Sequence, residues 1–537
     1  MYLLDTIPNR KSTPQSQPIP GRETDMVKNS AGGFVFPVSP ETAVARFLIL
    51  GSEAGSYYAS SQDLTKSNTT ALVKQIKKDG VGVVKLISEI SDAGRAVKNE
   101  PALFALALCL THGNEPTKRL AGASLLTVAR TGTHILHFVA YMDALRGWGR
   151  CARESVAAWY TKQDPNKLAY QLVKYPSRDG WSHKDVLRLA HPKASDNYQN
   201  QLFKWVAEKG FSVDGLYSDS VALPLIAEAA KTAGPKAITK FILEKNLPWE
   251  AVPTDKRTPE AYKAYLSVAP VTWILRNLGS LTKHEVLKAG SWDAIKQVQE
   301  KIVNPRLLKQ GRVHPLSVLV ALNTYRSGSG VRSGSSWTPV PSIVSALEDA
   351  FYAAFHSFEP TGLRIVNALD VSGSMGAAMI SGMGISARTA SAAMSMISTR
   401  LEPKVVNVGF TGGFYSSDLT VLPFTKNQDL KSVENYIDRL PFGGTDCAIP
   451  MIWAKDNKVE ADLFVVYTDC ETWAGGVSPS QALAQYRQAT GIPAKLVVVG
   501  MTANNFTLAD PKDAGMMDVV GFDTSAPQAI AEFAKGF

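Results

Sequence analysis

The chain has 537 residues, 45% of them hydrophobic and 20% charged, and a formal net charge of +9. That is too long for one ordinary core, so two or three domains of a globular protein are expected. Its uninterrupted apolar runs, such as Ala102 to Leu110, are too short to span a bilayer, and four scattered cysteines without a CxxC exclude a cysteine zinc site or a disulfide scaffold.

The charge is unevenly spread. Residues 1–358 hold 44 Lys+Arg against 30 Asp+Glu, a balance of +14, whereas residues 359–537 hold 13 against 18, a balance of −5. A basic first part points to a polyanion partner, most economically nucleic acid; the alternative is a solvated basic surface without a partner. The residues around Asp5 and Arg10 lack the long apolar region of a signal peptide, so a cytoplasmic protein is the simplest reading.

In chain order, residues 1–30 read as an extended or partly disordered N-terminal arm rich in Pro, Ser, Lys and Arg. After an ordered turn and short extended piece, Gly32 to Val38, Ser39 opens a helix that the Gly51–Gly55 region ends. From there to about residue 325 helix follows helix. Apolar faces include Leu72-Val73-Ile76, Val83-Val84-Leu86-Ile87-Ile90, Leu168-Tyr170-Leu172-Val173 and Ile295-Val298-Ile302. Helix pairs of this size suit a HEAT-like solenoid, although no signature recurs at a fixed period and an irregular bundle remains the other reading. A Gly/Ser-rich stretch, 327–336, with Arg326 just before it and Arg332 inside it, is either a flexible connection or a polyanion-binding loop. A last helix runs from Val340 to Phe358.

Beyond residue 359 the period changes. Leu363–Leu369 is an apolar run with Arg364 and Asn367 inside it, and Val405–Phe410, Leu463–Tyr467 and Leu496–Gly500 are short, β-branched and apolar. Helical patterns alternate with them, which predicts a doubly wound open sheet with ligands at the carboxyl ends of its strands. The first strand ends in Asp370-Val371-Ser372-Gly373-Ser374, a carboxylate and two hydroxyls at alternate positions. Three hard oxygens suit a small divalent cation, most economically Mg²⁺, with Ca²⁺ or Mn²⁺ as alternatives. The bland reading is a turn that caps the next helix. Gly443-Gly444-Thr445-Asp446 and Thr468-Asp469 then bring a further hydroxyl and carboxylate.

In this order and spacing, the three loops resemble the metal-ion-dependent adhesion site (MIDAS) of von Willebrand factor A domains. The resemblance implies Asp370, Ser372 and Ser374 as ligands, Thr445 bound directly or through water, and Asp469 in an outer shell. An open coordination position would accept an acidic group from a partner; alternatively, the ion would only stiffen the loops. No Walker A, HExxH or GxSxG sequence is present, so an enzyme is not expected.

The most informative helical segment runs from Lys174 to His191. Ser182 with Asp185 suggests a helix N-cap, and Lys184, Arg188 and His191 at i, i+4 and i+7 suggest a basic stripe, with Lys174 and Arg178 across a short turn before it. Such donors suit phosphate and sugar contacts; the bland reading is a solvated face with Arg188 paired to Asp185. The run Gly180-Trp181-Ser182-His183-Lys184-Asp185-Val186-Leu187-Arg188-Leu189-Ala190-His191 closely resembles the Ro autoantigen family, whose helical part is the TROVE domain. Gly32–Phe36, Phe47–Tyr58 and His314–Leu319 share the resemblance, and low cysteine content suggests a bacterial member.

The resemblance implies a TROVE ring over 31–358 closed by an A domain over 359–537. A basic hole would take single-stranded 3′ ends of misfolded noncoding RNA, and an outer surface would take Y RNA-like and structured RNA. It also implies RNA contacts at Lys174, Arg178 and His191, to which the basic stripe adds Lys184 and Arg188. Scaffolding of RNA quality control by a monomer, with an exoribonuclease such as polynucleotide phosphorylase as partner, completes the expectation. Two other readings are a metal-dependent protein-binding adaptor acting through the A domain and, last, a metal-dependent nuclease.

Overall fold

The helix boundaries follow from local chemistry. In a computed structural model, which describes residues 12–51, 61–145, 147–207, 222–330, 334–355, 360–380, 384–412, 419–440 and 443–536, helix Pro40–Leu50 begins at an N-cap whose Ser39 hydroxyl accepts the Thr42 N–H at 3.0 Å. Pro40 stands where its missing N–H costs nothing, and Gly51 ends the helix at φ +67°. Asn114, Thr131, Asp164, Thr258, Asn304 and Ser386 cap later helices in the same manner. The two apolar faces around residues 72–76 and 83–90 belong to one helical run, Ser61–Ala93, broken by a kink at Asp79 (φ −147°, ψ 72°). Gly80 follows the kink and packs so closely on Thr117 that a Cβ there would meet its side chain at 2.4 Å.

Each helix then packs on near neighbours in sequence. Ser61–Ala93 lies against Glu100–His112 and Glu115–Val128, Arg150–Thr161 against His183–Ala190, and Pro235–Lys245 against Pro259–Val268. The succession runs through Val271–Lys283, Trp292–Ile302 and Pro315–Ser327 to Pro341–Ala353. Helix Glu100–His112 is surrounded on all sides, with Leu103, Leu106 and Cys109 fully buried. The series also meets itself: the Arg312 guanidinium, just before Pro315–Ser327, pairs with Asp92 at the end of Ser61–Ala93 at 2.6 Å.

Eleven short or long strands occur among the described residues. They are β1 (Val27–Lys28), β2 (Phe34–Pro37), β3 (Ser177–Arg178), β4 (Trp181–Ser182), β5 (Arg364–Asp370), β6 (Lys404–Phe410), β7 (Leu419–Leu422), β8 (Leu463–Thr468), β9 (Lys495–Gly500), β10 (Phe506–Thr507) and β11 (Met516–Val520). The main sheet has the order β11-β9-β8-β5-β6-β7, all parallel except the edge strand β7. Its side chains alternate between two cores. Ile365 and Leu369 face the core shared with helix Ala387–Leu401 and the helical series, whereas Val366 and Ala368 face Met451, Leu483 and Tyr486. Strand order reverses beside β5, which opens a crevice between the carboxyl ends of β5 and β8.

Residues 12–30 of the N-terminal arm lie on this α/β domain. Thr13 N–H donates to Gln481 at 2.9 Å, Arg22 forms a two-pronged pair with Asp510, and β2 pairs antiparallel with both β1 and β10. No described helix is long and apolar enough to cross a membrane. The four cysteines are unpaired thiols, three of them buried, and burial pushes the Cys109 thiol up to about 12.

Candidate RNA-binding segment and metal centre

The segment from Lys174 to His191 is a hairpin followed by a helix. Register pairs Ser177 with Ser182 and Arg178 with Trp181, leaving Asp179 and Gly180 as a two-residue loop. Both have left-handed φ, +51° and +79°, the conformation that a tight hairpin of this length demands. His137, 6% exposed on helix Gly132–Ala144, holds the loop through its Nδ1, which is hydrogen-bonded to the Asp179 carboxylate. Its other nitrogen faces Glu100 at 3.9 Å.

Helix His183–Ala190 begins with a complete capping box. Ser182 Oγ accepts the Asp185 N–H at 3.3 Å, and the Asp185 carboxylate accepts the Ser182 N–H at 3.0 Å. Beneath it, His183 is buried, its Nδ1 2.7 Å from the Tyr160 hydroxyl and its ring parallel to Trp159. Burial holds His183 well below the usual imidazole range, at about 4, so it is neutral and structural.

The expected donors are placed unequally. Arg178, on β3, and Arg188, on the outer helix face, are exposed, and Lys184 is half-buried on the same face one turn earlier. His191 is exposed but not part of the stripe. The helix ends at Ala190, and His191 is its C-cap at φ +47°, donating its N–H to Leu187 O at 3.0 Å. Asp185 is engaged in the capping box, and no Arg188–Asp185 ion pair forms. Lys174 is the most enclosed. Its ammonium lies 5.3 Å from the centroids of Tyr170 and Tyr175 and 3.8 Å from Glu250. Burial lowers its pKa, Glu250 opposes this and Arg276 adds to it. Tyr170 lies one turn earlier on the same helix and Tyr175 directly follows Lys174, whereas Glu250 and Arg276 come from distant elements, beyond the reach of sequence spacing. The Asp-Gly loop, by contrast, is a hairpin signal legible in the sequence.

The three loops of the α/β domain do converge at the crevice. Asp370 is fully buried, with Oδ1 accepting the Ser372 N–H at 2.9 Å and Oδ2 accepting the Thr468 hydroxyl at 2.7 Å. The Ser372 and Ser374 hydroxyls are 3.1 Å apart. Thr445 is 1% exposed, and its carbonyl ties the glycine loop to Trp473 and Ala474 N–H groups at 3.0 Å. Asp469 Oδ1 accepts the Glu471 N–H at 3.1 Å, while its buried Oδ2 has no hydrogen-bond partner among the described residues. Burial pushes Asp469 up to about 8, with Asp370 and Glu471 adding repulsion, and burial also raises Asp370.

Cys470, directly after Asp469, has φ +63°. The Thr468 hydroxyl accepts its N–H at 3.0 Å and the Asn29 amide holds its carbonyl at 3.2 Å. Arg388, whose charge acts on Asp370, donates to the Val371 and Ser372 carbonyls. A buried, under-compensated set of carboxylates and hydroxyls with an orphaned oxygen has the donor chemistry of a hard-cation site.

The N-terminal arm reaches this centre, a role absent from the sequence reading. Gln15, 1% exposed, donates to Asp446 Oδ1 at 2.7 Å and to Val477 O at 2.9 Å, and accepts the Thr472 hydroxyl at 2.5 Å. It therefore joins the Thr445 loop to the Asp469 loop.

Known proteins place both halves. Residues 27–217 match the TROVE domain, and residues 364–534 match the Ro60 vWA domain. The RNA-binding protein RO60 of Deinococcus radiodurans is 42% identical over 535 residues, covering 98% of each chain. The RNA-binding protein RO60 of Caenorhabditis elegans is 34% identical, covering 95% of this chain and 90% of its own. The crystal structure of the Deinococcus radiodurans RO (RSR) protein superimposes with a TM-score of 0.70 at 41% identity, over 93% of this chain and all of that one. Two domain matches in the expected order, joined by near full-length identity, make this chain a member of the Ro60 family.

Proposed function

We propose that the protein is a cytoplasmic, non-enzymatic RNA-binding protein. In this reading it takes Y RNA-like and misfolded or structured noncoding RNA, with single-stranded 3′ ends entering a basic hole. It acts as a monomer and scaffolds RNA quality control or degradation, with an exoribonuclease such as polynucleotide phosphorylase as the partner enzyme. The observation that carries the reading is the rigid hairpin–helix unit, which presents Arg178, Arg188 and His191 to solvent on a scaffold pinned by His137 and a capping box. The names of the two RO60 relatives support RNA as the polyanion. Lys184 and the caged Lys174 add charge beside these three.

Phosphate-directed binding weakens steeply with salt. Fluorescence anisotropy with a hairpin RNA bearing a single-stranded tail is the test. The triple variant K174A/R178A/H191A is expected to bind roughly tenfold more weakly and to flatten the salt dependence by roughly two units of slope. Wild-type protein that ignores the RNA at low salt, or a triple variant that binds normally, would sink the reading.

A divalent cation, most economically Mg²⁺, is proposed at Asp370, Ser372, Ser374 and Thr445, with Asp469 behind them. When bound, it would supply an open Lewis-acidic position for a partner's carboxylate. The protein's part is to hold these oxygens in place and exclude water around them. A second reading, a protein-binding adaptor, draws on Trp473 and Met379, each 41% exposed on loops of this end of the domain. It requires Asp370→Ala to abolish capture of a protein partner while RNA binding persists. Cleavage of labelled RNA that depends on Mg²⁺ and on Asp370 would instead favour a nuclease.

A further inference from the structure

The described part of the Gly/Ser-rich stretch after Arg326 is ordered around a tryptophan. Ser329 and Ser336 form an antiparallel bridge, and the Gly330 N–H donates to Ser335 O at 2.8 Å. Trp337 donates its indole N–H to Tyr325 O at 3.0 Å and lies nearly parallel to the Tyr325 ring, 17° apart with centroids at 6.2 Å. It seats over Gly279, where a Cβ would come within 2.7 Å of the indole. Any larger residue at 279 would push the ring away, so the wall is built by two separated parts of the chain.

Between this wall and helix Val271–Lys283 lies a cavity of about 160 Å³. A void of comparable size, roughly 150 Å³, takes up a benzene ring. Arg276, Ser280 and Lys283, at i, i+4 and i+7 of that helix, form its rim, and the Lys283 ammonium is 3.3 Å from Ser335 Oγ. Both cations are exposed, and nearby acids are engaged elsewhere: Glu285 pairs with Lys288 at 3.0 Å, and Glu250 lies 3.8 Å from Lys174. Arg276 also acts electrostatically on Lys174 and Tyr175, so the cavity adjoins the proposed RNA-binding segment.

An aromatic wall, two unneutralised cations and hydroxyls from Ser280, Thr324 and Ser335 meet in one place. We propose that this cavity holds one nucleotide of a single-stranded RNA, with the base against Trp337, the phosphate between Arg276 and Lys283, and the ribose hydroxyls facing the serine and threonine side chains. Base stacking tolerates any sequence, the cations neutralise the backbone, and the hydroxyls favour RNA over DNA. The inference rests on the RNA-binding reading above and adds a second contact point to it.

The test uses the full chain and a ten-residue uridine oligoribonucleotide, read by anisotropy across a salt series. R276Q/K283Q changes two exposed side chains, so its melting curve should match the wild type. Its binding is expected to weaken roughly tenfold or more, with the salt slope reduced by roughly 1.4. A 4-thiouridine version of the oligomer should crosslink to the peptide carrying Tyr325 and Trp337. Unchanged affinity in R276Q/K283Q, beside a loss in K174A/R178A/H191A, overturns the cavity assignment and leaves the RNA reading intact. Unchanged affinity in both variants overturns both. Binding of AMP that R276Q/K283Q abolishes, with the oligomer unaffected, makes the cavity a free-nucleotide site and overturns the proposal.

Discussion

His314 is held on both ring nitrogens. Its Nε2 is 2.7 Å from Phe522 O, which can only accept, so that nitrogen carries the proton, and Nδ1 accepts the Leu316 N–H at 3.2 Å. Burial depresses its pKa to about 4, that of His183 to about 4 and that of His134 to about 3. A depressed imidazole is neutral when folded, whereas the unfolded chain takes up a proton near pH 6.5. The stabilisation is therefore complete above about 6.5 and is lost as pH falls toward 4, at a cost of roughly 3 kcal/mol for each residue. Thermal melts at pH 7.5, 5.5 and 4.5 should show the melting temperature falling across that window. His314→Gln should melt lower at pH 7.5, having lost a buried bond, yet lose less on acidification. Parallel pH profiles for variant and wild type would refute the assignment. His314 stood out in the sequence only as part of a resembling stretch, because its partner is 208 positions away.

At the level of elements, β8 and β9 were legible because parallel strands buried on both faces read as nearly unbroken apolar runs, and β5 because only Arg364 and Asn367 interrupt its run before Asp370. The edge strand β7 and the end strand β11 were not, since partial exposure mixes polar residues into them. The Asp-x-Ser-x-Ser turn, the glycine loop and the Thr-Asp strand end were legible as three loops of one site. The hold of Gln15 on two of them was not, because its partners lie more than 400 residues on. If a cation compensates the buried carboxylates, chelation with EDTA should lower the melting temperature and Mn²⁺ or Mg²⁺ should restore it. An ion at a hundred times its dissociation constant adds roughly 2.7 kcal/mol. Asp370→Asn should melt at the same temperature with and without the ion, and calorimetric titration with Mn²⁺ should show no heat. A metal response that survives in Asp370→Asn would move the ion elsewhere. The helix after the capping box was legible by pattern but its last residue was not, since His191 switches to left-handed backbone and turns off the expected stripe.

Across the whole molecule, one buried and two half-buried ion pairs join the helical series to the α/β domain. Arg46, on the first helix and 0% exposed, pairs with Asp518 of β11 at 2.6 Å and also bonds Asn504 and Phe506 carbonyls. Arg326, near the other end of the series, pairs with Glu434 at 2.8 Å, and Arg95 pairs with Asp523 at 2.7 Å. Removing one partner of a buried pair costs about 3–5 kcal/mol, because the other charge is left uncompensated. Arg46→Met should therefore lower the melting temperature sharply, and Arg46→Met with Asp518→Asn should recover most of the loss. Equal instability of the single and double variants would mean that packing, not the orphaned charge, dominates. The two-part architecture was legible from the charge split and the change of period, but these cross-links were not. The arm adds a consequence for synthesis. Pro37 pairs with Phe506, 469 residues later. At 5–20 residues per second, the ribosome needs roughly 25 to 95 s to deliver that partner. During that interval the edge of β2 that faces β10 is without its partner, so a strand made early is completed late, and a chaperone that shields that edge has a defined time in which to act.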